Sequence, residues 1–113
     1  MCAVDSVIAV GSSNRRGGAA NIATDADYVE VGAPGGQRGT DDPLDLVWST
    51  GGGEGYVTSS GGCMAAGFAG GVAALVCSRY PELSNEQLRQ ILRNTAQGDT
   101  WDSKLGWGIL DAA

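Results

Sequence analysis

The sequence predicts an α/β fold, and three observations carry that reading. Two short β-branched apolar runs, Ser6–Val10 (SVIAV) and Asp27–Val31 (DYVEV), have the composition of strands. Gly61 to Tyr80 is apolar on all sides and reads as one buried helix. A capped amphipathic stretch then follows from Ser84. Strands followed by helices of these two kinds imply a sheet covered by helices.

Composition sets the outer bounds. The chain has 113 residues, which allows one domain at most. Hydrophobic residues are 42% and charged residues 18%, so whole-chain disorder is excluded. Nineteen residues are Gly, more than twice the usual ~7% share. No apolar run reaches ~18 residues, so no membrane span is expected. A net charge of -6 without a basic stripe argues against nucleic acid and anionic membrane as partners. The chain contains no His, so it cannot assemble a Ser-His-Asp or Cys-His relay by itself. Its three cysteines, Cys2, Cys63 and Cys77, are far apart and odd in number. That argues against a disulfide framework and against a zinc site, so no metal site is expected. The opening MCAVDSVIAV has an early Asp and no basic stretch, unlike a secretory signal.

The elements follow in order. Ser6–Val10 is a buried strand closed by Gly11-Ser12-Ser13-Asn14, and Arg15-Arg16-Gly17-Gly18 is a solvated turn. In Asp27–Val31, Tyr28 and Glu30 alternate with Val29 and Val31, the period of a half-buried strand. Ala33-Pro34-Gly35-Gly36 ends it, and Gln37–Pro43 is an acidic surface loop. Leu46–Thr50 and Gly55–Ser59 flank a Gly-rich tip and predict a hairpin.

Gly67, Gly70 and Gly71 each cost roughly 1 kcal/mol inside a helix, which close neighbours would justify. The alternative is a loop through Gly71 with a helix only from Val72. Pro81 then breaks the chain. Ser84-Asn85-Glu86-Gln87 is a capping box, flanked by Leu83 and Leu88 at the positions of a hydrophobic staple. Leu88, Ile91, Leu92 and Thr95 share one helical face, and Gly98 is the expected stop. Leu105–Ala113 packs Trp107, Ile109 and Leu110 and is expected to begin a last helix.

At this point the motifs and their order resemble the C-terminal part of subtilisin-like serine peptidases. SVIAVGSS (Ser6–Ser13) is similar to the strand after the family's oxyanion-asparagine segment. YVEVGAPG (Tyr28–Gly35) resembles its V-x-A-P-G strand and turn. GGCMAAGFAGGVAAL (Gly61–Leu75) resembles the nucleophile helix, G-T-S-M-A-[AS]-P-H-V-A-G-x-A-A-L, without a gap. Pro81 to Ala96 matches the following amphipathic helix, and GWGILDAA (Gly106–Ala113) the closing G-x-G-x-[LIV]-[DN]-A segment.

The resemblance implies a partial subtilisin-like three-layer sandwich, with residues 1–113 as the C-terminal segment of one catalytic domain. It places Cys63 at the nucleophile position, its backbone N–H serving as an oxyanion donor. It places Ser60, Gly61 and Gly62 along the substrate. The departures fall at the chemistry: Cys63 replaces Ser, Gly62 replaces Thr, Gly67 replaces Pro and Phe68 replaces His. Nothing like D-[ST]-G, H-G-T-H or A-A-G-N occurs, and those motifs would precede Met1.

Three functional readings follow. The first is a segment of a subtilisin-like endopeptidase that is not competent alone and meets a polypeptide substrate only when completed by an N-terminal half. The second is a non-catalytic binding or structural remnant, with Cys63 a small buried residue. The third is a Cys-dependent acyl transferase when complemented by the missing half, which would supply a His. Sulfur at a helix start is favoured as an anion, and a thioester prefers amines over water. No cofactor is implied, although the intact family admits calcium. Many family members are exported, while the compartment of this chain is not written in its sequence. Central strands without neighbours leave an exposed sheet edge, through which the chain is expected to self-associate.

Other residues have simpler readings. Glu30 falls where some family members hold a carboxylate near a weak cation site, but a solvated strand residue is favoured. Asp41, Asp42 and Asp45 make a solvated acidic loop rather than a calcium site, having no EF-hand spacing. Gly51–Gly55 lacks the ending of a phosphate loop. Cys77 reads as core, and Trp48, Trp101 and Trp107 as packing residues.

Overall fold

The computed structural model describes residues 6–113, so the expectation for Cys2 lies outside the described residues. Two strands, β1 (Ala9–Ser13) and β2 (Val29–Pro34), pair in parallel from Ala9 opposite Val29 to Ser13 opposite Pro34. Both lie two to three residues later than the sequence predicts. Small residues taken as strand terminators are themselves buried strand positions, Gly11, Ser12, Ser13 and Ala33, and Gly32 is buried beside them. The C-terminal segment lies directly on them. A Cβ at Gly11 would collide with the Lys104 carbonyl, and one at Gly32 would come 2.8 Å from the Leu105 side chain. The predicted alternation holds where it was read, with Val29 and Val31 buried and Tyr28 and Glu30 not.

The expected helix after Leu105 does not form. That segment instead lies along the free edge of β2. Trp107 N–H donates to the Glu30 carbonyl, Gly32 N–H to the Gly108 carbonyl and Leu110 N–H to the Gly32 carbonyl, each at 2.8 Å. Gly106 (φ 59°) and Gly108 (φ 117°) take backbone angles that break a helix and that glycine tolerates best. The turn before them is held by Asp102. Its carboxylate accepts from the N–H groups of Lys104 (2.8 Å) and Leu105 (2.9 Å), which holds it below the usual carboxylate range.

The predicted hairpin is present as β3 (Val47–Thr50) and β4 (Tyr56–Ser59), antiparallel, with Val47 opposite Ser59 and Thr50 opposite Tyr56. Helix α1 runs unbroken from Gly62 to Arg79, so the alternative loop through Gly71 is not found. Helix α2 spans Asn85–Thr95. Its capping box is formed: Gln87 N–H donates to Ser84 Oγ (3.2 Å) and Ser84 N–H to Gln87 Oε1 (2.9 Å). It ends three residues before Gly98, because Ala96 turns extended and Gln97 N–H bonds the Ile109 carbonyl. Leu92 is the buried residue of its apolar face.

The core sits where α1 crosses the parallel pair. Ala33, Ala65 and Ala69 form it, with Val10 and Leu110 packed against them. The expectation that α1 is buried all round is not met among the described residues. Only Ala65 and Ala69 are buried, while Phe68 and Leu75 are 48% and 64% exposed. The sheet covers one face of α1 and leaves its other faces open. Accordingly, a Cβ at Gly67, Gly70 or Gly71 would meet nothing within 4 Å. By length and composition alone α1 suits a bilayer span; in this fold it lies on the sheet.

Candidate nucleophile site

The start of α1 is built by its glycines. Gly61 caps the helix, and its N–H donates to the Gly35 carbonyl at 2.8 Å, tying the cap to the turn after β2. The Gly61 carbonyl accepts from Met64 (3.0 Å) and Ala65 (3.4 Å), which closes the first turn. Gly62 and Cys63 are the first two helical residues. Their N–H groups have no acceptor among the described residues, as a first turn requires. Two open donors therefore flank a thiol at the positive end of the helix dipole.

Cys63 is exposed, which overturns the reading of it as a buried small residue. Ser60 and Gly61 are half-buried beside it, and Gly62 is exposed. Cys77 lies 14 residues further along the same helix and is half-buried rather than core. Cys63 also borders an apolar groove of about 530 Å³ between β3 and α1, walled by Trp48, Met64, Phe68, Val72 and Leu75. Sequence reasoning missed this groove. It took Trp48 for a packing residue, yet Trp48 is 61% exposed. The signal available was the lack of any polar stripe on α1 beside a hairpin carrying an unpaired Trp.

No imidazole is present to deprotonate the thiol, since the chain has no His. Among the described residues no group of three His, Cys, Asp or Glu side chains is placed to hold a metal ion.

The acidic residues singled out in the sequence are placed elsewhere; Asp41 is exposed as read, whereas Glu30, Asp42 and Asp45 are ion-paired. Glu30 is half-buried and bridges Arg89 and Arg93 of α2, each at 3.4 Å. Arg15, read as part of a solvated turn, pairs with Asp42 (3.3 Å) and Asp45 (2.8 Å). Asp42 also accepts from Leu44 N–H at the start of a short 3-10 helix, Pro43–Asp45.

A parallel β-pair crossed by a helix, with a thiol exposed in the first turn of that helix, is an α/β arrangement. Comparison with known proteins names the family. The subtilase (peptidase S8) family profile matches residues 2–108, and the chain belongs to that family. A thermostable alkaline protease of Halalkalibacterium halodurans is 38% identical over 106 residues, covering 94% of this chain and 27% of the relative. Subtilisin DY of Bacillus licheniformis is 37% identical over 111 residues, covering 96% and 37% respectively. Among solved structures, a protease of Pseudoalteromonas arctica superposes with a TM-score of 0.85 at 32% identity. That match covers 96% of this chain and 34% of the other. The chain thus spans roughly a quarter to a third of the proteins it resembles. Its fold is the corresponding part of a subtilisin-like α/β domain, and catalysis in this family requires no cofactor.

Proposed function

We propose that this chain is the nucleophile-bearing segment of a subtilisin-like endopeptidase domain and does not hydrolyse peptide bonds by itself. The observation that carries the reading is chemical: a Cys stands in the first turn of α1, and the sequence contains no His. In peptide hydrolysis the nucleophile must lose a proton as it attacks the carbonyl carbon, and the leaving amine must gain one. Here the N–H groups of Gly62 and Cys63 can stabilise an oxyanion, but the sequence has no His to act as the base. The Asp and His functions must come from polypeptide outside this sequence, and the substrate is then a polypeptide chain.

The exposure of Cys63 favours a second reading over a decayed remnant. An open thiol flanked by two free N–H groups suits acyl transfer, in which a thioester forms and an amine resolves it. One experiment separates the readings. The purified chain and its Cys63→Ser variant are each given a fluorogenic peptide, then a peptide thioester with excess amine. The first reading expects no peptide turnover from either protein. Turnover that depends on Cys63 overturns it. An acyl adduct on Cys63 that passes to the amine supports the transferase reading, and no adduct excludes it.

A further inference from the structure

Away from the sheet, α1 carries a continuous apolar surface. Met64, Phe68, Val72 and Leu75 recur every three or four residues and form one stripe along the helix. Trp48 of β3 stands beside that stripe, and together they wall the groove of about 530 Å³ that Cys63 borders. Trp48, Phe68 and Leu75 are all exposed. No residue lining the groove is charged, although the chain carries a net charge of -6. Gly67 and Gly71, one turn apart near the middle of α1, also line the groove, and a Cβ on either would meet nothing within 4 Å. A second helix can therefore approach the α1 backbone closely there. The sheet edges offer less. The free edge of β2 is taken by the C-terminal segment, and the Ser12 carbonyl of β1 already accepts from Ala20 N–H at 2.8 Å.

We propose that a second copy of this chain covers the groove, with α1 packed against α1 of its partner in a two-fold symmetric dimer. Charge, shape and area choose this occupant. Two acidic copies repel each other, so the face without charges is where they meet at least electrostatic cost. A two-fold interface must be complementary to itself, and this one patch offers both a projecting Trp48 and the open step at Gly67 and Gly71. A fully covered aromatic side chain buries ~150–250 Å², so the partly exposed side chains of this face offer roughly 500 Å² per copy. Two copies then bury roughly 1,000 Å², the lower bound for a specific interface. The dimer is accordingly weak, with a dissociation constant on the order of 10–100 μM. It does not depend on the chemistry of Cys63, and it moves the self-association expected of a sheet edge onto α1.

The test is sedimentation velocity of the 113-residue chain in reducing buffer, across ~1 to ~300 μM to bracket that constant. The expected result is a mass that rises from one copy towards two. Gly71→Glu adds a charge where nothing lies within 4 Å and replaces Gly by a better helix former, so the monomer keeps its fold. It should weaken association about tenfold or more, and Trp48→Thr, at an exposed strand position, about tenfold. Leu44→Ser, at an exposed position outside the groove, should change it less than about twofold. Far-UV circular dichroism checks the fold of each variant. A single-copy mass throughout leaves the groove to a different partner and overturns the proposal. Dimerisation that Gly71→Glu and Trp48→Thr leave unchanged places the contact on another surface and overturns it too, as does an equal loss in Leu44→Ser.

Discussion

Replacing Glu30 by Gln should cost this fold much of its margin. The Glu30 carboxylate joins β2 to α2 through Arg89 and Arg93, each at 3.4 Å, with side chains only 15–29% exposed on the Arg side. At an effective dielectric of about 20, each contact is worth about 5 kcal/mol of gross attraction. Desolvation and solvent screening remove most of that. Breaking a buried pair typically costs about 3–5 kcal/mol, because a charge is left orphaned. Neither cation is orphaned here, since Arg89 keeps Glu86 at 3.6 Å and Arg93 keeps the Trp107 ring at 5.3 Å. The net loss should therefore be about 1–2 kcal/mol. With a slope of about 1 kcal/mol/M in urea, the midpoint should fall by ~1–2 M without a change in slope. The assay is urea unfolding followed by far-UV circular dichroism at low salt. A midpoint within ~0.2 M of the parent would refute the reasoning, because the bridge would then contribute nothing.

Three further outcomes follow from local geometry. Ser84→Ala removes the acceptor for Gln87 N–H and should cost about 0.5–2 kcal/mol in the same assay, with Ser84→Thr recovering most of it. Gly106→Ala should cost more, about 2–4 kcal/mol. It places a Cβ against the Glu30 backbone at φ 59°, and a parent-like midpoint would contradict the packing of the C-terminal segment on β2. The carboxyls of Asp102 and Asp111 are held low in the folded state, Asp102 by the N–H groups of Lys104 and Leu105, Asp111 by Gln97 and Ala113 N–H. Their contribution to stability is therefore fully present above the unfolded value of ~3.9 and lost as pH falls through the lower folded values. Hydrogen-exchange protection at Gln97 and Gly106, taken relative to the intrinsic rate at each pH, should fall below about pH 4, and Asp102→Ala should flatten that dependence at Gly106.

The sequence was most legible where local chemistry decides structure. The capping box at Ser84 and Gln87 needs only neighbouring residues, and it forms as read. The hairpin tip and the alternation of Val29 and Val31 are equally local. Failures came where a distant segment sets the outcome. Gly11 reads as a strand terminator in sequence, yet it is strand interior because the segment from Lys104 onward lies against the parallel pair. The same contact takes the backbone donors of the C-terminal segment and prevents the helix expected there. Glu30 looked solvated because its partners, Arg89 and Arg93, come from α2, 59 and 63 residues away. The apolar surround of α1 predicted burial, but burial depends on what covers a helix, and the described residues cover one face. At the candidate site, the motif around Cys63 located the helix start, whereas its exposure and the flanking groove were visible only in the fold.

This subtilase-family chain presents an open thiol, Cys63, in the first turn of α1. Alkylation by iodoacetamide, followed residue by residue by peptide mass spectrometry, tests it directly. In native buffer Cys63, exposed in the first turn of α1, should react about tenfold faster than half-buried Cys77. In concentrated guanidinium the two rates should converge. Equal rates in native buffer, or Cys77 reacting first, would contradict the claim.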